Sequence, residues 1–397
     1  MESHSAISAS DRADSTCGCV CSRPAIVSEG SLSGVVAMKR ILRKWAILVW
    51  AGIAIGTVPE VAPAAELPFG RNPVVLSGAL DRFDDDHVGL PRPDTHAPAG
   101  LMGDHPHQTG EVMAEYKFMH MSMDDNRVGR DVVSDMAAHT ATGTTFMVVP
   151  TRMDMSMHMV HIMYAPSDEV TLYLMPMWTS VTMDHRRMDG TTFRTHNEGF
   201  DDMAAGALWL LDRDDGTEWI ANLGFSVPTG DLNNMTNRAM PPMETLLPYP
   251  MRLGSGTFDA RPGLTYKTYW EDSSAGFQFQ ADLPIGRNYR GYSMGNVYQV
   301  TGWYSKLLTE RFSTSVRFEG LMRENIDGID EELAVMAPMA RTDMRGGDSV
   351  NLGLGLLWTL EDASRLNFEW VKPIAQDLDG VGLETDFRFF VSWSKAW

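Results

Sequence analysis

From residue 110 onward, apolar and polar residues alternate with a period of two, the pattern of β-strands whose two faces meet different surroundings. The clearest case is the pair of arms at residues 151–164 and 169–182, which flank the turn residues 165–168. Each arm is longer than the roughly 9–11 residues that a tilted strand needs to cross a bilayer. The pattern therefore predicts a hairpin of two membrane-crossing strands.

Twelve such segments follow one another, and we predict a strand for each. They are residues 112–123, 151–164, 169–182, 198–212, 217–229, 256–269, 274–286, 294–306, 310–322, 347–359, 363–374 and 384–397. The connections alternate between short turns, such as 213–216, and long loops, such as 230–255. An even strand number with this asymmetry is typical of outer-membrane barrels. The predicted fold is an all-β, 12-stranded antiparallel transmembrane β-barrel over residues 110–397, with short periplasmic turns and longer extracellular loops.

Charged residues recur on one face of these segments, and aromatic and aliphatic residues recur on the other. In segment 310–322, Phe312 and Phe318 lie opposite Arg317 and Glu319. Charges on one face of many strands would be costly in a dry core. They fit a water-filled lumen with the apolar face toward lipid. A secreted β-sandwich or propeller is the soluble alternative, although its strands would usually be shorter.

The chain before the strands divides into three predicted parts. Residues 38–65 resemble a signal peptide, with a basic start, an apolar stretch at 45–58 and the sequence Ala-Pro-Ala at 62–64; a membrane anchor is the alternative. Residues 1–37 would be an upstream extension, and they contain all three cysteines. Residues 66–109 are rich in Pro, Asp and His, and we predict a periplasmic extension or a plug. The predicted location is the outer membrane of a Gram-negative bacterium.

The net charge of −19 makes nucleic acid an unsuitable partner. The expected partners are outer-membrane lipid and a small cargo molecule.

Four stretches carry a family resemblance: MGDHPHQTGEVMAEYKFMHMSMDDNRVG, FMVVPTRMDMSMHMVHIMYAPSDEVTL, LPYPMRLGSGTFDARPGLTY and QDLDGVGLETDFRFF. Over residues 100–397 the chain resembles the outer-membrane transporters of the "meta-pathway of phenol degradation" family. The resemblance implies a barrel that passes small molecules, among them hydrophobic or aromatic compounds. It brings no catalytic or binding residues with it.

Methionine is concentrated in the first three strands, and three arguments predict that it faces the lumen. Glu115 and Lys117 orient the first strand, and the aliphatic face of segment 169–182 orients the third. A three-residue turn pairing Ala165 with Glu169 would place odd residues opposite odd residues in the hairpin, whereas a two- or four-residue loop would reverse this and turn the methionines of the second strand toward lipid. The candidate ligands are Met119, His120, Met121, Met123, Met153, Met155, Met157, Met159, His161, Met163, Met175 and Met177, together with His105 and His107 before the first strand.

Two cargo hypotheses follow from this stripe. Thioether sulfur suits Cu(I), and by analogous softness Ag(I), so the lumen could pass copper or silver. Methionine is also simply apolar and flexible, so it could line a path for hydrophobic or aromatic molecules. No cofactor is expected beyond the cargo itself.

A lipid hydrolase is a third hypothesis, from a different class. His120 and Ser122 have the His-x-Ser spacing of outer-membrane phospholipases, and Asp154 and His158 fall on the next strand. No Asn-containing motif of that family accompanies them, and no enzymatic activity is predicted.

Export gives the first testable prediction. Cleavage after the Ala-Pro-Ala sequence should leave a mature protein that begins near Ala65 or Glu66 and fractionates with the outer membrane. N-terminal sequencing of the membrane fraction checks this. A soluble protein that retains Met1 would contradict it.

Overall fold

The computed structural model describes residues 92–214 and 216–397. The upstream extension, the signal peptide and the first part of segment 66–109 therefore lie outside the described residues. No helix in the described part of the chain is long and apolar enough to cross a membrane.

The secondary structure is almost entirely β. The strands are β1 (Val112–Gly129), β2 (Asp131–Val133), β3 (Val148–Ser167), β4 (Val170–Met175), β5 (Met177–Arg187), β6 (Thr192–Phe200), β7 (Met203–Asp214), β8 (Thr217–Val227), β9 (Met235–Met240), β10 (Met243–Leu246), β11 (Phe258–Tyr269), β12 (Ser273–Ile285), β13 (Tyr292–Ser293), β14 (Val297–Thr309), β15 (Phe312–Arg323), β16 (Asp327–Gly328), β17 (Gly347–Thr359) and β18 (Arg365–Ala396). The described residues also contain the short helix α1 (Asp135–Ala138) and 3-10 turns at Pro93–Thr95, Tyr249–Met251, Pro338–Ala340 and Thr342–Met344.

Eleven of these strands form a closed antiparallel barrel. The order around the ring is β1, β18, β17, β15, β14, β12, β11, β8, β7, β4 and β3, and β3 pairs again with β1. Three more strands, β2, β5 and β6, belong to the same sheet outside the ring. The prediction of an all-β antiparallel barrel is therefore confirmed.

Strands β5 and β6 prolong two of the ring strands at the end of the barrel that carries the long connections. Only Pro176, which cannot donate a ladder hydrogen bond, separates β4 from β5. Residues 201 and 202 separate β6 from β7, so the predicted strand 198–212 is interrupted. The predicted loop 183–197 is for the most part the hairpin between β5 and β6, and the predicted loop 375–383 is strand throughout.

The two halves of β18 contact each other. Its first half pairs with β17 and its second half pairs with β1. The Nζ of Lys372 lies 3.3 Å from a carboxylate oxygen of Asp386, and the side chain of Gln376 hydrogen-bonds to both backbone groups of Thr385. Residues 14 apart would be far separated in a straight strand, which rises about 3.4 Å per residue.

The turn between β3 and β4 differs from the prediction in length, but odd residues still pair with odd residues beyond it. Ser167 pairs with Val170 across a two-residue turn, so the predicted pairing of Ala165 with Glu169 is wrong. A register shift follows immediately, and Met163 then pairs with Tyr173. The extra residues of this bulge restore the pairing of odd with odd residues, so the methionine face of β3 still joins the inward face of β4.

The two faces of the ring have the predicted chemistry. Phe318 is 47% exposed on the outside, whereas its neighbours Arg317 and Glu319 are buried inside. Outward positions elsewhere are likewise large and apolar; examples are Ile162, Leu172, Trp209, Phe225, Phe277, Leu354 and Trp370.

Residues 92–107, which we call the luminal segment, lie inside the ring. The ammonium groups of Lys117 and Lys267 donate to the carbonyls of Leu101 and Thr95, at 3.2 and 2.8 Å. The amide of Gly100 donates to a carboxylate oxygen of Glu369 at 2.6 Å. The ring side chains thus satisfy backbone groups of a segment that has almost no regular structure of its own.

Both ends of the luminal segment are at the short-turn end of the barrel. The Arg92 guanidinium donates to the carbonyl of Trp270, in the turn between β11 and β12, at 3.0 Å. The amide of Thr109 donates to Asp168, in the turn between β3 and β4, at 2.7 Å. The segment enters the lumen and returns by the same mouth.

A buried charge network faces the middle of the luminal segment. Nε and Nη1 of Arg317 donate to Glu369 and Glu319, each at 2.6 Å, and Arg388 also donates to Glu319. Buried charges are tolerated only when they are paired and hydrogen-bonded, and removing one partner leaves an uncompensated charge.

This network gives the second testable prediction. Replacing Arg317→Met leaves the buried Glu369 without its cation and removes one of the two cations that pair with Glu319, which should cost about 3–5 kcal/mol of unfolding free energy. The matched control is Arg130→Met, which removes an exposed ion pair with Asp377 and should cost less than about 1 kcal/mol. Urea unfolding in detergent, followed by tryptophan fluorescence, measures both. Equal unfolding midpoints for the two variants would show the network to be unimportant.

Candidate functional site

The short-turn half of the lumen contains a small polar cavity between the luminal segment and the barrel wall. Its volume is about 40 Å³. Residues of the segment on its lining include His96, Asp104 and His105, and residues of the wall include His161 and Met163.

Asp104 is the hub of the segment's fold at this point. One carboxylate oxygen lies 2.9 Å from Nδ1 of His105, and the other accepts the amide of Ala97 at 3.0 Å. Lys267 of β11 lies 3.7 Å from the second oxygen. These contacts bring His96 against His105, with ring centroids 4.6 Å apart in an edge-to-face arrangement.

Two further histidines are held by carboxylates in the same way. Nδ1 of His107 is 3.2 Å from Glu111, and Nδ1 of His161 is 3.6 Å from Glu115. His107 also packs on His105, with ring centroids 4.9 Å apart. The Nε2 atoms of His105 and His107 are buried and have no hydrogen-bond partner in the described part of the chain.

Burial sets the protonation of the segment's polar groups. It lowers the pKa of His96 well below the ordinary value, with a further contribution from the nearby Arg365 cation. Burial also lowers the pKa of His105, against the opposing effect of Asp104. The pKa of Asp104 is lowered well below its usual range, because attraction to His105 and Lys267 outweighs the effect of burial. These shifts favour uncharged rings at His96 and His105 and an ionised carboxylate at Asp104.

The predicted methionine stripe faces inward but is divided into three packed groups. Near the long-loop end, Met153 and Met183 are buried with Met123 and Met155 against Met251 and other loop residues. In the middle, Met159 and Met175 are buried with Met102, Met119, Met157 and Met177. Near the short turns, Met113 and Met163 are buried against Leu208 and Ile220. Met121 lies on the same inward face of β1, opposite Met155 of β3.

His120 does not belong to this interior set, contrary to the prediction. It alternates with Met119 and Met121 and therefore lies on the outward face, where Nδ1 is 3.0 Å from the Ser156 hydroxyl and the ring packs near Phe389. The remaining predicted residues are inside the barrel: His105 and His107 on the luminal segment, and His161 on β3.

The His-x-Ser pair of the hydrolase hypothesis does not form. The Ser122 hydroxyl donates to Asp154 at 3.0 Å, and Asp154 is also engaged by the Arg152 guanidinium. His158 pairs with the Tyr116 hydroxyl at 2.6 Å. Each of these polar groups on the outer wall thus has a hydrogen-bond partner. The backbone amides around them belong to the paired strands β1 and β3.

Sequence reasoning missed His96 and Asp104. Both lie in the stretch DTHAPAGLMGDHPH, whose richness in Asp, His and Pro was recognisable. The contact between residues eight and nine positions apart depends on how the segment folds back, and no periodicity predicts it.

Comparison with protein families gives one match. Residues 170–377, just over half of the chain, match the family described as "Putative MetA-pathway of phenol degradation". No curated protein matches the chain.

Comparison with solved structures also gives matches. An outer membrane channel from Pseudomonas putida F1 is 12% identical, with a TM-score of 0.51 over 75% of this chain and 99% of that chain. The transport unit of the autotransporter AIDA-I from Escherichia coli is 9% identical, with a TM-score of 0.42 over 74% and 92%. A Pseudomonas aeruginosa FadL homologue is 9% identical, with a TM-score of 0.36 over 72% and 90%. At these identities a likeness shows only the fold, and only the first structure, with a TM-score above 0.5, is similar enough to show the barrel.

Proposed function

Because the chain belongs to the family described as the MetA-pathway of phenol degradation, we propose that it is an outer-membrane channel for small hydrophobic or aromatic compounds. The observation that carries the proposal is the character of the inward face of β1, β3, β4 and β5. Methionines there pack on one another and present a flexible, apolar strip along the lumen. An apolar strip inside a ring whose outer wall already faces lipid suits the passage of apolar molecules, which a purely charged lumen would exclude.

We infer that twelve strands cross the membrane, because β18 supplies two of them. A closed ring in which all neighbours are antiparallel needs an even number of strands, and eleven segments make an odd one. The contact between Lys372 and Asp386 supports a hairpin within β18. The short turns would then face the periplasm, and the long connections would face outward.

We further propose that the luminal segment is a plug that controls passage. Support comes from its hydrogen bonds to the ring at Lys117, Lys267 and Glu369. Support also comes from Gly100, where an added Cβ would lie 2.5 Å from Arg317 and 2.7 Å from Glu369. The tip of the segment thus packs closely against side chains of β15 and β18.

The plug gives the third testable prediction. Gly100→Val should expel the tip of the segment and raise the single-channel conductance in planar bilayers severalfold, while the barrel keeps its heat-modifiable mobility on gels. The matched control is Gly302→Ala on the outward face, where the nearest atom to an added Cβ is 3.9 Å away. Unchanged conductance of the Gly100 variant would refute the plug.

The same variant tests the cargo. Cells that carry the Gly100→Val variant should take up a radiolabelled aromatic hydrocarbon faster than cells with the natural chain. Cells with the natural chain should in turn take it up faster than cells with an empty vector. Equal uptake in all three would refute the aromatic-channel proposal even if the conductance changes, so the two proposals can fail separately.

Copper or silver passage is the second candidate function, favoured by the inward position of the methionines. The same methionines pack on apolar neighbours, so an experiment that removes the sulfur separates the two candidate functions.

A methionine-to-leucine variant gives the fourth testable prediction. Replacing Met119, Met121, Met155 and Met157 by Leu keeps size and apolarity and removes sulfur. If the apolar channel is right, aromatic uptake and copper and silver tolerance should remain unchanged. The control replaces the exposed Met136, Met147, Met188 and Met243 by Leu. Loss of metal tolerance in the first variant alone would favour the metal conduit.

A further inference from the structure

The luminal segment contains a compact set of metal-binding side chains that the transport proposal does not use. One ligand atom from each of His96, Asp104 and His105 lies within 4.8 Å of the other two. Small side-chain rotations would bring such atoms to the roughly 2.0–2.2 Å that nitrogen and oxygen ligands keep from a bound zinc ion. We propose that these three residues hold one divalent transition-metal ion.

Unused nitrogen atoms are the independent observation that points to a ligand. Nε2 of His105 is buried without a hydrogen-bond partner among the described residues, and so is Nε2 of the adjacent His107. A buried polar atom without a partner is costly, and native structures contain few of them. An ion at this point would use such a nitrogen.

A carboxylate fixes the ring beside the proposed ligands. Glu111 holds Nδ1 of His107, whose ring packs on His105 with centroids 4.9 Å apart. Contacts of this kind set the positions of the rings around a metal ion. As a ligand, Asp104 would exchange its present contact with Nδ1 of His105 for the ion.

The ligand set selects the class of ion. Imidazole nitrogen with one carboxylate suits Zn²⁺, Ni²⁺ and Cu²⁺, whereas Mg²⁺ and Ca²⁺ prefer all-oxygen sites, and Cu(I) prefers thioether. The adjoining cavity of about 40 Å³ has room for a water molecule as a further ligand.

The site lies within one stretch of chain, so its consequence is local. His96 and His105 would be joined through the ion, which closes the loop of the segment and stabilises its folded form in the lumen. Only side chains of the luminal segment would hold the ion, whichever molecule passes the barrel.

Zinc binding by the mature, tag-free protein, extracted from the outer membrane into detergent, gives the fifth testable prediction. Equilibrium dialysis against Zn²⁺ alone, with metal analysis, should find about one tightly bound ion per chain. His96→Ala, Asp104→Asn and His105→Ala should each weaken binding at least about tenfold. The matched control is His196→Ala, which removes a histidine of β6 outside the site. This variant should bind Zn²⁺ as tightly as the natural chain does.

Cobalt spectroscopy keeps the test decisive if a variant does not fold. Co²⁺ added to the natural chain should give visible absorption bands of a nitrogen-ligated site, and excess Zn²⁺ should abolish them. Absence of tight Zn²⁺ binding, or of these bands, in the natural chain would overturn the proposal. Unchanged affinity in folded His96→Ala and His105→Ala variants would also overturn it.

Discussion

A sheet that crosses lipid finds no water for the amides and carbonyls of its edge strands, so each strand must have a partner on both sides. Here β1 meets that requirement, because it pairs along most of its length with β3 on one side and with β18 on the other. The pairing from Met113–Ala396 onward joins the first strand of the barrel to the last. With the ring closed, side chains alternate between lipid and an enclosed interior, and that interior must then be filled.

The filling is of two kinds, and each occupies its own part of the wall. Ion pairs around Arg317 and Glu319 line one side, and methionines from β1, β3, β4 and β5 line another. The luminal segment lies between them and contacts both: Gly100 hydrogen-bonds to the charged side, and Met102 packs among the methionines. The interior therefore has a polar side and an apolar side, and the luminal segment fits between them.

Period-two alternation was sufficient to predict which side chains of the barrel face inward, but not what packs against them inside the lumen. Phe318 outside and Arg317 inside follow from neighbour-to-neighbour alternation, which depends only on local backbone geometry. The turn after β3 shows the limit: the predicted three-residue turn is wrong, the structure has two residues there, and a bulge preserves the pairing of odd with odd residues. The contact of His96 with Asp104, and the loop residues that cover Met153, arise from chain reversals that no local pattern records. The outward position of His120 could have been inferred from alternation alone.

The luminal segment has a topological property that follows from its two anchor points. Arg92 and Thr109 both lie at the short-turn mouth, so the segment dips into the ring as a loop and never passes through it. A loop that enters and leaves by one opening is not threaded through the ring. The ring can therefore close around an empty interior and receive the loop later, or release it whole, without breaking a single hydrogen bond between strands. Assembly in the membrane and occupation of the lumen are thereby separable events.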